Sequence, residues 1–116
     1  MPFVLIAALL AASPEGATPE VMKRLQPAFD GVITSTYKDG RQGKLHLSRD
    51  GAYRYRGRTN KASSGTWDIK GGSTICLHQK KPIGIGSYCT PIPKGRSWRA
   101  KAAGGEMVTL RVVGRG

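Results

Sequence analysis

The chain has 116 residues, room for one domain with one modest core, and nineteen Lys and Arg face only seven Asp and Glu, a net charge of +12. That balance attracts anionic partners and disfavours basic ones, a basic target protein included. Two cysteines and two distant histidines do not spell a zinc site, and the cysteines are too far apart for a C-x-x-C redox pair.

Residues 3–12, F-V-L-I-A-A-L-L-A-A, are apolar and uncharged. The run has the length of a signal-peptide core and is far too short to span a bilayer as a helix. Ala11 and Ser13 give a small-x-small ending, although the first basic residue is Lys23, so no basic segment precedes the run. Residues 1–13 therefore read as a signal peptide, and the protein as periplasmic or secreted. The alternatives are a short lipoprotein-like or uncleaved anchor, or a buried N-terminal strand or helix.

Residues 14–29 read as a flexible leader and a short helix. Thr18 is placed to cap, with Pro19 at the first helical position. Val21, Met22 and Leu25 form an apolar stripe that Phe29 can continue, and the segment is expected to lie as a lid or plug against a sheet. Pro27 predicts that regular helix stops at Gln26.

From residue 30 to 116 the hydrophobic period becomes two. Leu45 and Leu47 alternate with Lys44 and His46, Tyr53 and Tyr55 with Arg54 and Arg56, Trp67 with Asp68, Trp98 and Ala100 with Arg99, and Val108, Leu110 and Val112 with Thr109 and Arg111. The glycines of D-G at 39–40 and 50–51 and of G-G at 71–72 and 104–105 mark turns. K-A-S-S-G, before Trp67, reads as a loop. The pattern predicts seven or eight short strands in an all-β antiparallel meander, closing into a β-barrel or packing as a two-sheet sandwich.

Cys76 and Cys89 flank a turn-like segment centred on Pro82 and Ile83. One disulfide across a hairpin is the simplest reading, and it favours an oxidising compartment. Closing a loop of this length restricts the unfolded chain by roughly 3 kcal/mol. The cysteine face can be the inner or the outer one. The tip, Lys80, Lys81, Pro82 and Ile83, is a secondary contact candidate.

The chemistry of the remaining residues points to binding. G-I-G at 84–86 lacks the third glycine and the helix of a dinucleotide site. His46 and His78 lie in alternating strands, where structural roles are the expectation. Asp39 and Asp50 open turns, and Asp68 is expected to face water or to pair with Arg or Lys. A small hydrolase with a dispersed carboxylate site is the weakest alternative. Arg49, Arg54, Arg56, Arg58 and Lys61 form the densest basic cluster, extended by Arg99, Lys101 and Arg111 if their strands share the sheet. Arginine's fork suits phosphate or carboxylate. Anionic envelope components or an acidic protein are the expected partners, with nucleic acid less favoured outside the cytoplasm. No cofactor is called for. The second functional reading is a small-ligand barrel lined by Tyr53, Tyr55, Trp67 and Trp98.

With G-T-W-D-I at 65–69, C-L-H-Q at 76–79, Y-C at 88–89 and G-G-E-M-V-T-L at 104–110, the chain resembles small exported bacterial β-proteins of uncharacterised function that share a loose G-x-W…C…C…G-G arrangement. The resemblance covers roughly residues 40–113 and implies a signal peptide, one disulfide and a compact antiparallel fold. It carries over no catalytic residue. A weaker likeness is to exported lipocalin-like or inhibitor barrels, whose G-x-W lies near the first strand, not in mid-chain.

Overall fold

The computed structural model describes residues 14–83, 86–92, 95–102 and 104–114. The expected signal peptide lies outside them. Helix α1 (Pro19–Phe29) precedes eight strands: β1 (Val32–Thr36), β2 (Gln42–Leu47), β3 (Ala52–Arg56), β4 (Ala62–Lys70), β5 (Thr74–Lys81), β6 (Ser87–Pro91), β7 (Ser97–Lys101) and β8 (Met107–Val113). All pairings are antiparallel, in the order β6-β5-β4-β3-β2-β1-β8-β7. The sheet curls until its edges, β6 and β7, face each other, so the fold is a single sheet nearly closed into a barrel. No ladder joins those edges among the described residues. Instead the Tyr88 hydroxyl donates to the Lys101 carbonyl across the seam at 2.6 Å.

Period-two alternation sets the two faces. Ile33, Leu45, Leu47, Tyr53, Trp67, Ile69, Ile75, Leu77, Val108 and Leu110 point inward and are buried. Lys44, Arg54, Arg56, Arg99, Lys101 and Arg111 are exposed on the outside. Turn chemistry fixes the register: Gly40 and Gly51 hold φ of +85° and +98° at tight turns, a left-handed conformation that glycine adopts without steric cost.

One end of the barrel is closed. Val21, Leu25 and Ala28 face inward from α1, and the Phe29 ring packs 5.8 Å from that of Trp67. Thr18 caps the helix through the Val21 N–H. Contrary to the sequence expectation, Pro27 does not end the helix, which runs on to Phe29. Burial of Ala28 and Phe29 outweighs the missing hydrogen bond, and the Asp30 N–H closes the last turn on the Gln26 carbonyl. The leader is also fixed at this end, since the Glu15 carbonyl accepts from the Ile69 N–H, beyond the end of β3.

A second difference concerns K-A-S-S-G. Residues 62–65 are not a loop but the first half of β4, where Ala62, Ser63, Ser64 and Gly65 pair with Arg56, Tyr55, Arg54 and Tyr53. Small residues of low strand propensity are carried here by pairing with β3, at Ser64 and Gly65 also with β5, and by the Tyr53 ring lying over Gly65. A side chain at Gly65 would collide with that ring and with the His78 carbonyl.

Candidate functional site

The helix fills only one end. Between it and the opposite rim lies an interior cavity of about 270 Å³. Its wall is mostly apolar, with Ile33, Leu45, Ile75, Leu77, Val108 and Leu110 interleaved with Tyr37, Tyr53, Tyr55, Tyr88 and Trp98. The space exists because small residues stand where large ones would fill it. Ser35 and Ser63 line it, and Gly43 leaves room for the Tyr55 hydroxyl and Ser35 Oγ, which occupy the place of its missing side chain.

Arg58 spans the rim. Its guanidinium lies 4.0 Å from the Tyr37 ring centroid, 3.2 Å from the Glu106 carboxylate and 3.7 Å from that of Asp39. It ties together the turns after β1, β3 and β7. Burial, then the neighbouring Tyr55 hydroxyl, raise the Tyr37 phenol well above its ordinary value. Burial also raises Tyr88. Both phenols are thus neutral in the folded protein at physiological pH.

Two buried polar atoms of the lining residues lack partners: Trp98 Nε1 and Thr90 Oγ1. They belong to β7 and β6, the strands on either side of the seam. An unpartnered buried donor costs about 1–3 kcal/mol, so this wall is unsatisfied on its own.

The expected interior residues divide. Tyr53, Tyr55 and Trp98 line the cavity. Trp67 points inward but belongs to the packed end, where its indole N–H donates to the Ser48 carbonyl at 2.8 Å. Tyr37 and Tyr88 join the lining without having been singled out in the sequence. Their inward alternation with Ser35 and Thr90 was the available signal.

The expected anion-binding set does not form one stripe. Arg54 and Arg56 are neighbours on the outside of β3. Arg58 is committed to Asp39 and Glu106 at the rim. Arg49 lies at the helical end, 5.2 Å from the Phe29 ring. Lys61 is exposed in the turn after β3. Arg99, Lys101 and Arg111 share the sheet, but β1 and β2 separate their strands from β3. At the hairpin tip Ile83 is 98% exposed, next to exposed Lys80, Lys81 and Pro82.

Cys76 and Cys89 stand directly opposite each other and form the disulfide on the outer face, since Ile75 and Leu77 point inward. Beside them Asp68 pairs with His78, not with Arg or Lys: its Oδ2 lies 3.0 Å from His78 Nε2, and His78 Nδ1 lies 2.9 Å from Ser87 Oγ. The contact order has the form of a serine-histidine-carboxylate relay. It sits on the outside wall, where it links β4, β5 and β6 around the disulfide. Among the described residues no group of three or more His, Cys, Asp or Glu is placed to hold a metal ion, and no helix is long and apolar enough to cross a membrane.

No family model, curated protein or solved structure matches the chain.

Proposed function

We infer that the protein is a non-enzymatic binding module whose barrel holds a compact, largely apolar small molecule. The observation that carries this reading is the aromatic-lined cavity above the helical plug. Its volume of about 270 Å³ lies just below the roughly 300–1,000 Å³ typical of small-molecule sites. The ligand is correspondingly small, of the order of one or two rings or a short acyl chain. Neutral phenols and an indole give it polarisable faces to pack against. One acceptor group on the ligand, brought to the seam, would satisfy Trp98 Nε1.

Two features support an exported location for this module: the apolar run at residues 3–12 and the Cys76–Cys89 disulfide. The Asp68–His78–Ser87 contacts enter the reading as a polar ladder that holds the cysteine hairpin, and the hairpin in turn supplies Tyr88 and Thr90 to the cavity wall.

The test is titration with a neutral naphthylamine fluorophore, which a basic surface does not attract by charge. Saturable one-to-one binding is expected. Leu110→Trp, which fills the cavity from β8, should abolish it while the circular dichroism spectrum stays that of a folded barrel. Equal binding by Leu110→Trp would place the fluorophore elsewhere.

A further inference from the structure

The outer wall carries a second concavity, a shallow groove of about 450 Å³ bordered by Lys44, His46, Arg54, Arg56, Ser64 and Lys81. Strand register assembles it. Lys44 stands opposite Arg56, and His46 opposite Arg54; Arg54 stands opposite Ser64. A register shift between Ser64 and Gly65 sets Lys81 opposite Ser64. By strict alternation Lys81 would follow Ile75, Leu77 and Gln79 inward, so the irregularity is what adds this cation to the outer wall.

No carboxylate borders the groove, and no ion pair with Lys44, Arg54, Arg56 or Lys81 is found among the described residues. Arg56 is partly pre-positioned, because one guanidinium nitrogen donates to both the backbone and side-chain oxygens of Asn60. The remaining guanidinium edge and the Arg54 fork are left for another acceptor. Like charges directly opposite one another on a sheet destabilise the pairing, and Lys44 and Arg56 are such a pair. An anion in the groove would relieve that repulsion.

We propose that this groove is a binding site for a phosphate group. Phosphate carries close to two negative charges and several strong acceptor oxygens. It matches two guanidinium forks, two ammonium groups and the Ser64 hydroxyl better than a singly charged carboxylate does. The groove shares Tyr55 and Ser63 with the interior cavity, but Lys44, Arg54, Arg56, Ser64 and Lys81 line the groove alone. The phosphate can belong to a soluble phosphate compound or to a lipid headgroup facing the barrel wall.

The experiment compares wild type, the double variant Lys44→Gln/Arg54→Gln, and the charge-matched control Arg99→Gln/Lys101→Gln. Inorganic phosphate, against chloride at equal ionic strength, should move the amide resonances of Lys44, Arg54, Ser64 and Lys81 and raise the melting temperature of wild type and control. The groove variant should bind phosphate about tenfold or more weakly. Its melting temperature without phosphate should equal or exceed that of wild type, since a repulsive pair has been removed. Equal loss in the control, or resonance shifts spread over β7 and β8, would overturn the site and leave only generalised attraction to a basic protein.

Phosphatidylcholine vesicles with and without phosphatidylglycerol identify the source. Capture that needs the anionic lipid and is lost in the groove variant assigns the phosphate to a headgroup. Binding of inorganic phosphate without vesicle capture assigns it to a soluble compound. Fluorophore binding in the cavity should be unchanged in the groove variant, so failure of this site leaves the interior site standing, and the reverse.

Discussion

Tyr37 carries both a structural and an electrostatic load at the rim: its ring is held under Arg58, and its phenol is raised above the ordinary value of 10.0 chiefly by burial. A phenol with a raised folded-state pKa contributes its full stability below the unfolded value. Above that value the unfolded chain loses its proton first, so the contribution is lost as pH rises. Stability should therefore fall with alkalinity from about pH 10 upward. Urea midpoints measured near neutrality and at high pH should show a smaller alkaline loss in Tyr37→Phe than in wild type. Equal losses would mean that burial does not disfavour the Tyr37 phenolate. Arg58 illustrates the opposite lesson at the same scale. Sequence pattern groups it with Arg54 and Arg56, yet the turns bring Asp39 and Glu106 to it from distant positions. Such pairing depends on topology and has no local signature.

At the scale of elements, the alternating strands and the glycine turns were legible because each is a local consequence of backbone geometry. The helix start at Thr18 was legible for the same reason. The helix end was not, since the burial of Ala28 and Phe29 against the barrel overrides the signal of Pro27. The first half of β4 was hidden by its composition: Ala62 and Ser63 become strand through pairing with β3, and Ser64 and Gly65 through β3 and β5 on either side. That concealed segment also leaves space for the cavity, which is why Tyr53, Tyr55 and Trp98 could be expected to line the interior while the room around them could not. Helix α1 is the element that closes one end, and Leu25 is its fully buried anchor at 0% exposure. Leu25→Ala should cost about 2–5 kcal/mol, read as a lowered urea midpoint. A cost below about 1 kcal/mol would mean that α1 adds little to the core.

For the whole molecule, a small core is reinforced in two ways. The sheet curls so that its edges shield each other, and the disulfide links β5 to edge strand β6. Reduction should lower stability by roughly 3 kcal/mol through the freed loop. Alkylation of the native protein without reductant should leave both cysteines unmodified, whereas two modified thiols would remove the main physical support for an oxidising compartment. The surface divides by chemistry as well: a rim whose arginine is neutralised by two carboxylates, a polar ladder around the disulfide, and a groove on β2–β5 with cations and no acid. The net charge predicts attraction to anions. Strand register decides where that attraction is concentrated.

Whether the interior holds a ligand is reported separately by the two tryptophans. Trp98 lines the cavity, whereas Trp67 is packed against Phe29 at the closed end. Fluorine NMR of the 5-fluorotryptophan-labelled protein, titrated with the neutral fluorophore, should show a saturable shift of the Trp98 resonance with Trp67 unmoved. A Trp98 resonance that stays fixed at saturating fluorophore would mean that the interior holds no ligand.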